Sequence, residues 1–189
     1  MSTDNTAPLP DPAHRVWFFA YGSLMWQPGF EHDTVVGAVL DGYHRALCIY
    51  SWVWRGTPEK PGLVLGLAEG LSCEGQAIGV KPDDEDRVLA YLDERELVTE
   101  VYRRKRLPLR LATGHGVEGW CYVARPGHEQ YAGDLSVDRT LALIRQGHGR
   151  GGPNRDYVLN TVAHLRMLGI RDPRLEELEA CLATDTGMN

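Results

Sequence analysis

The chain has 189 residues, 43% hydrophobic and 24% charged, which is the composition of an ordinary soluble globular domain. Its formal net charge of −6 argues against a nucleic-acid partner, because general nucleic-acid binding requires a surplus of lysine and arginine. Its apolar stretches are all shorter than the roughly 18 to 20 residues of a membrane-spanning helix, so we also expect no membrane partner.

The N-terminal segment, residues 1–15, carries three prolines and lacks the basic and apolar parts of a secretory signal. We therefore predict a flexible arm here, a single folded domain over residues 16–183 and a cytoplasmic location. The cysteines form no CxxC pair and the histidines no HExxH motif, so we expect neither a metal site nor a disulfide framework. Cys48 and Cys121 lie in apolar runs and are predicted to be buried thiols.

We predict mainly β-strands in the first two thirds of the chain. Runs of apolar, β-branched and aromatic residues are separated there by glycine-containing segments typical of turns. The pair Asp41-Gly42 indicates a turn or a bulge, and the segment GLSCEG indicates a turn between two strands. The predicted strands lie at residues 16–21 and 34–54, on both sides of the GLSCEG turn at 70–75, and in a hairpin of residues 101–112 and 117–125.

Helices are predicted at residues 83–97 and, in several segments, after residue 135. The first begins with carboxylates, which suit the positive end of a helix, and carries an apolar stripe. Ser136 is a candidate N-cap, Gly169 a helix stop and Pro173 a helix start. Strands followed by helices indicate one α+β domain, with a closed or curled sheet and helices around it.

The segment Tyr21-Gly22-Ser23-Leu24 ends the first predicted strand abruptly. Such a turn is either an ordinary strand end or a place where successive N–H groups point at an anion or a developing oxyanion. On its own the segment favours an ordinary strand end, because glycines are common in turns that follow strands. Ser23 has no Gly-x-Ser-x-Gly context and no assigned base, which disfavours serine-hydrolase chemistry.

Glu96 differs from the other charged residues near the end of the first predicted helix. It follows Leu92 by four residues and therefore shares the apolar face. A carboxylate in that position is partly desolvated, which raises its pKa and suits it to general acid/base work. The basic run at residues 103–106 is interpreted instead as a solvated sheet face or a set of ion pairs.

The glycine-rich segment at residues 147–152 does not fit a dinucleotide fingerprint, because no strand precedes it and the GxGxxG spacing fails. We predict a flexible loop that leads into a helix. Tyr157 then lies in the first turns of that helix, where its hydroxyl either meets a ligand or serves packing.

Four segments occur in this order: VWFFAYGSLMWQPGF, GYHRALCIYSWVWRGTPEKPGLVLGL, YLDEREL with VYRR, and NRDYVLNTVAHLRMLGI. Together they resemble the ChaC family of glutathione-specific γ-glutamylcyclotransferases. The resemblance extends from about Val16 to Leu178. It implies a small mixed β-barrel with surrounding helices, a small-molecule substrate and a reaction that needs neither metal nor cofactor. In that reaction the glutamyl α-amine attacks its own γ-carbonyl, which releases 5-oxoproline and an amine.

The resemblance also implies roles for particular residues. The γ-glutamyl group would be held by the loop of Tyr21, Gly22, Ser23 and Leu24, and the catalytic glutamate would be Glu96, after Arg95. Further substrate-binding positions would be Arg45, Arg55 and Tyr157.

One departure from the family pattern affects the choice of substrate. Eukaryotic members carry Asp-His-Arg where this chain has Val53-Trp54-Arg55. Two alternatives therefore stay open beside glutathione cleavage. One is the same chemistry on another γ-glutamyl amine or a biosynthetic intermediate, and the other is a non-catalytic regulator of cation transport. The oligomeric state does not follow from the sequence.

Overall fold

The computed structural model describes residues 12–97 and 99–184. Its strands are β1 (Val16–Ala20), β2 (Thr34–Ser51), β3 (Gly62–Val80), β4 (Tyr102–Leu111), β5 (Gly116–Ala124) and the two-residue strands β6 (His148–Gly149) and β7 (Gly152–Pro153). Its α-helices are α1 (Glu85–Glu96), α2 (Val137–Gln146), α3 (Asn154–Met167) and α4 (Pro173–Thr184). Short 3-10 helices cover Pro12–His14, Ser23–Met25 and Pro82–Asp84.

Strands β1 to β5 form a closed barrel in the order β1-β3-β2-β4-β5. The pairing is antiparallel except between β1 and β5, which run parallel at Trp17↔Gly119 and Phe18↔Trp120. The predicted α+β fold with a small mixed barrel is therefore confirmed. The predicted β4–β5 hairpin is confirmed as well, and so are the helix starts at Ser136 and Pro173.

The predicted turn at GLSCEG is wrong, because β3 runs without interruption from Gly62 to Val80. Gly70 and Leu71 have positive φ values of 100° and 59°, and the pairing with β2 changes register between Asp41 and Tyr43. Both long strands bend at this point, which a closed barrel of so few strands requires. The glycines thus produce a bulge that bends the ladder, where the sequence pattern indicates a turn that ends it.

Residues of β1 pack on two different sides, which explains why the whole strand is apolar. Trp17, Phe19 and Tyr21 belong to a large core shared by the barrel and helices α2 to α4. Phe18 and Ala20 face the other way and pack in a second core that includes residues of α1. Helix α1 is thereby held against the strand whose end carries the Tyr21–Leu24 loop.

The first half of β3 has an edge that side chains cover. Strand β1 pairs with β3 only from Gln76 to Val80, so the outward backbone groups of Leu63 and Leu65 lie beyond that ladder. Asn154 accepts from Leu63 N and donates to Leu63 O, both at 2.7 Å. The hydroxyl of Tyr102 donates to Leu65 O at 2.7 Å, and that of Tyr157 accepts from Leu65 N at 3.2 Å. These bonds fix α3 and the start of β4 against the barrel.

Part of the predicted N-terminal arm is described. Residues 12–14 form a 3-10 turn, and the indole Nε1 of Trp17 donates to Pro12 O at 3.1 Å. The rest of the predicted arm, residues 1–11, lies outside the described residues. Cys48 and Cys121 are buried, as predicted. Within residues 12–97 and 99–184, none of the helices has the length and apolar character needed to cross a membrane.

Candidate active site

The loop after β1 and the end of α1 are tied together by Arg95. Residues Ser23 to Met25 make one 3-10 turn, closed by a bond of 2.9 Å from Met25 N to Gly22 O. Arg95 donates to Ser23 Oγ at 2.8 Å and to Gln27 O at 3.1 Å. One guanidinium therefore holds both ends of the turn against the helix.

Glu96 is the last residue of α1, and its side chain is 21% exposed. Its Oε1 lies 3.1 Å from Arg95 Nε. Burial raises the pKa of the Glu96 carboxyl, and the positive charge of Arg95 opposes that rise without cancelling it. The expected partial desolvation and raised pKa are confirmed, whereas the catalytic role of Glu96 stays a prediction.

Three tyrosines lie near enough to this carboxylate for its charge to affect their pKa values. Burial raises the pKa of Tyr21, Tyr102 and Tyr157, and the negative charge of Glu96 raises each of them further. Tyr21 comes from the end of β1, Tyr102 from the start of β4 and Tyr157 from α3. The barrel and α3 therefore bring three phenols that are distant in sequence near Glu96.

Arg55 lies against Tyr157, one of these three phenols. Its guanidinium carbon is 5.2 Å from the centroid of the Tyr157 ring, and Nη1 donates to Gly151 O. The cation also lowers the pKa of Tyr157, against the stronger effect of burial. A positive charge therefore stands close to the site, where it can meet an anionic substrate.

The glycine-rich segment is a hairpin of β6 and β7 that holds the Arg55 loop by backbone contacts, where the sequence predicts a flexible loop. Arg150 N and Gly151 N donate at 2.9 Å to the carbonyl oxygens of Val53 and Trp54. A Cβ atom at Gly149 would overlap the carbonyl of Val53. The glycines thus permit two backbones to approach closely, a need that sequence spacing alone does not reveal.

Two of the predicted binding residues lie behind the loop. Arg45 is buried, and its guanidinium donates at 2.6 Å to Tyr21 O, at 2.6 Å to Glu74 O and at 3.2 Å to Asp172. Leu24 is also buried, in the core that covers α1. We therefore expect Arg45 and Leu24 to position the loop from behind. Tyr21 and Tyr157 lie near Glu96, whereas Ser23 is joined to Arg95 and Arg55 lies against Tyr157.

Comparison with known proteins identifies the family. The sequence profile described as ChaC-like protein matches residues 16–185, which is most of the chain. The chain belongs to the ChaC-like family. Among its relatives, the glutathione-specific γ-glutamylcyclotransferase of Escherichia coli is 33% identical over 163 residues, which cover 86% of this chain and 71% of that protein. γ-Glutamylcyclotransferase 2-3 of Arabidopsis thaliana is 32% identical over 174 residues, 86% of each chain.

A solved structure supports the fold of this ChaC-like chain. The crystal structure of a yeast γ-glutamyl cyclotransferase specific to glutathione superposes with a TM-score of 0.80. It covers 90% of this chain and 96% of the yeast chain at 20% identity. At that identity the likeness concerns the arrangement of the barrel and helices.

Two residues that support the site were not predicted from the sequence. Tyr102 contributes the third phenol, and Asn154 fixes α3 through its side-chain amide. Tyr102 occurs in the VYRR segment, shortly after the helix that carries Glu96. That position in the sequence is a signal from which its place near the site could have been predicted. Asn154 offers none, because its partner Leu63 is 91 positions away.

Proposed function

We propose that this ChaC-like chain is a γ-glutamylcyclotransferase that degrades glutathione to 5-oxoproline and Cys-Gly. The observation that carries the proposal is Glu96, a half-buried carboxylate of raised pKa that pairs with Arg95 and lies near three phenols. The relatives in E. coli, zebrafish and human are named as glutathione-specific enzymes of this kind, which supports glutathione as the substrate. The predicted cytoplasmic location is kept as part of the proposal.

The reaction is an intramolecular aminolysis. The α-amine nitrogen forms a bond to the γ-carbonyl carbon, and the carbonyl electron pair moves to oxygen to give a tetrahedral intermediate. The carbonyl then re-forms as the bond to the cysteinyl nitrogen breaks, so 5-oxoproline and Cys-Gly separate. The α-ammonium loses two protons and the departing nitrogen gains two, and no water or oxidant is consumed.

Glu96 performs the proton transfer in this proposal. As a carboxylate of raised pKa it accepts a proton from the attacking nitrogen, and as the resulting acid it donates to the departing nitrogen. A group that must do both in one turnover benefits from a pKa closer to neutrality than that of an exposed glutamate. Since both reacting groups belong to one substrate, holding it folded supplies a large part of the rate.

The γ-glutamyl group is held by the loop of Tyr21, Gly22, Ser23 and Leu24 in this proposal. The Ser23 hydroxyl, already oriented by Arg95, and the backbone amides of the loop are suited to a carboxylate of the substrate. Arg55 is suited to bind a second carboxylate from its place beside Tyr157. The tie between Arg95 and the loop then keeps the bound substrate at a constant distance from Glu96.

A second candidate function keeps this chemistry and changes the leaving group. Val53 and Trp54 are 46% and 65% exposed on the loop that carries Arg55, so an apolar surface adjoins that cation. This surface favours a γ-glutamyl amine that is more apolar than Cys-Gly. A non-catalytic regulator is less well supported, because a raised pKa at Glu96 destabilises the folded protein at neutral pH and a simple binding protein gains nothing from it.

The experiment that tests the proposal is incubation of the purified chain with glutathione, γ-Glu-Cys and a γ-glutamyl amide of an apolar amine. The quantities to measure are 5-oxoproline and the released amine, by chromatography. We expect equimolar 5-oxoproline and Cys-Gly, with the highest kcat/KM for glutathione. A higher kcat/KM for the apolar amide would favour the second candidate, and the absence of 5-oxoproline from all three would contradict both.

A further inference from the structure

The hydroxyl groups around Glu96 differ in how their own protons are used. A phenol has one proton to donate and lone pairs that accept. Tyr21 donates to Tyr122 O at 3.1 Å, and Tyr102 donates to Leu65 O at 2.7 Å. Tyr157 instead accepts, from Leu65 N at 3.2 Å, and no acceptor for its own proton is found among the described residues. Of the three phenols, Tyr157 alone keeps its donor available.

We propose that the Tyr157 hydroxyl donates a hydrogen bond to the γ-carbonyl oxygen of the substrate and stabilises the oxyanion of the tetrahedral intermediate. This inference rests on the proposed cyclotransferase function and assigns the oxyanion donor within it. No bond to Tyr157 forms or breaks, and its proton stays on the phenol while charge moves onto the substrate oxygen and back. Tyr157 is thus a catalytic hydrogen-bond donor beside the general base Glu96.

The surroundings of Tyr157 suit this role. Burial raises its pKa to about 12, so the phenol keeps its proton throughout the pH range in which the enzyme works. The bond from Leu65 N fixes the oxygen, so little reorganisation is needed when the oxyanion forms. The Arg55 guanidinium above the ring places a positive charge near the developing negative one.

Ser23 is the other hydroxyl at the site that accepts a hydrogen bond, from Arg95. It is less suited to the oxyanion, because an aliphatic alcohol is a weaker donor than a phenol. We assign Ser23 to binding of the γ-glutamyl carboxylate. Its replacement by alanine is then expected to raise KM more than it lowers kcat.

Tyr102 provides a matched control for Tyr157. Both tyrosines bond to the backbone of Leu65, one at the oxygen and the other at the nitrogen. Replacing either one by phenylalanine removes one hydrogen bond to Leu65, but only Tyr157→Phe also removes a proton that is free for the substrate. The experiment compares steady-state kinetics with glutathione for the unaltered chain, Tyr157→Phe and Tyr102→Phe, with kcat corrected for the folded fraction from urea titration.

We expect Tyr157→Phe to lower kcat about 10²- to 10³-fold, as the loss of one oxyanion donor typically does, with a much smaller change in KM. Tyr102→Phe is expected to lose similar stability and less than tenfold in kcat. Equal losses of kcat in the two variants, or an effect of Tyr157→Phe on KM alone, would overturn the assignment. If the unaltered chain cleaves no glutathione, the proposed function fails and this inference fails with it, whereas full activity of Tyr157→Phe overturns the inference alone.

Discussion

Asn154 joins helix α3 to strand β3, and its replacement by leucine is expected to weaken the fold strongly. The side chain is fully buried, and its amide makes two bonds of 2.7 Å to the backbone of Leu63, which is also fully buried. Leucine has a similar volume but no polar atoms. Asn154→Leu therefore leaves both the N–H and the carbonyl of Leu63 buried without a partner.

The magnitude follows from these two groups. A buried backbone group left unsatisfied costs about 1–3 kcal/mol, so the pair predicts a loss of about 2–6 kcal/mol in the free energy of unfolding. A domain of this size has a total of about 5–15 kcal/mol, so the variant loses a large share of its stability. Tyr157 lies one turn further along the same helix, so we also expect kcat to fall as α3 shifts away from the barrel.

Urea unfolding followed by circular dichroism measures this loss. Asn160→Leu is the matched control, because Asn160 belongs to the same helix and its side chain is exposed. It is expected to change the free energy of unfolding by no more than about 0.5 kcal/mol. If the free energy of unfolding of Asn154→Leu also stays within about 1 kcal/mol of that of the unaltered chain, the bonds from Asn154 to Leu63 do not stabilise the fold as we argue.

Three further predictions concern the charged groups. Because burial raises the pKa of Glu96, the ionised carboxylate destabilises the fold; this effect is absent below the ordinary glutamate pKa and develops as pH rises through the raised value. Glu96→Gln should therefore increase Tm at neutral pH and leave Tm unchanged in acid. An equal gain in Tm at both pH values would contradict this. The charge of Arg95 opposes the rise in the Glu96 pKa, so Arg95→Gln should move the acid limb of the pH profile of kcat/KM to higher pH. Stopped assays of 5-oxoproline at a series of pH values measure this shift. An acid limb that stays in place would show that the charge of Arg95 does not act on Glu96. Arg45→Met leaves Asp172 and the Tyr21 carbonyl without their buried partner, so the free energy of unfolding measured in urea should fall by about 3–5 kcal/mol. A fall of less than about 1 kcal/mol would refute the role of Arg45 in positioning the loop.

Local sequence patterns predict the parts of the fold that depend on neighbours along the chain. The carboxylate-rich start and the apolar stripe place α1 within two residues of its observed ends, and Glu96 falls on its half-buried side as expected. The β4–β5 hairpin follows in the same way from two β-rich runs around TGHG. In these segments, local propensity and the tertiary structure agree.

Other features depend on contacts between distant segments and could not be predicted. The glycines of GLSCEG are compatible with a turn or a bulge, and only the pairing with the bend in β2 decides for a bulge. Arg45 has the residue type of a substrate-binding position, but Asp172, 127 positions away, binds it behind the loop. The free proton of Tyr157 depends on which backbone atom of Leu65 faces it, which no sequence pattern records.

The most direct test of the central claim is the rate of 5-oxoproline release from glutathione by Glu96→Gln, beside Glu94→Gln as the matched control. Glu94 belongs to the same helix and is exposed, so its replacement alters the same charge without touching the site. We expect Glu96→Gln to lose about 10²- to 10⁴-fold in kcat, the usual contribution of a general acid–base group, while Glu94→Gln keeps the activity of the unaltered chain. Turnover that survives in a folded Glu96→Gln protein would contradict the role of Glu96 as the proton-transfer group.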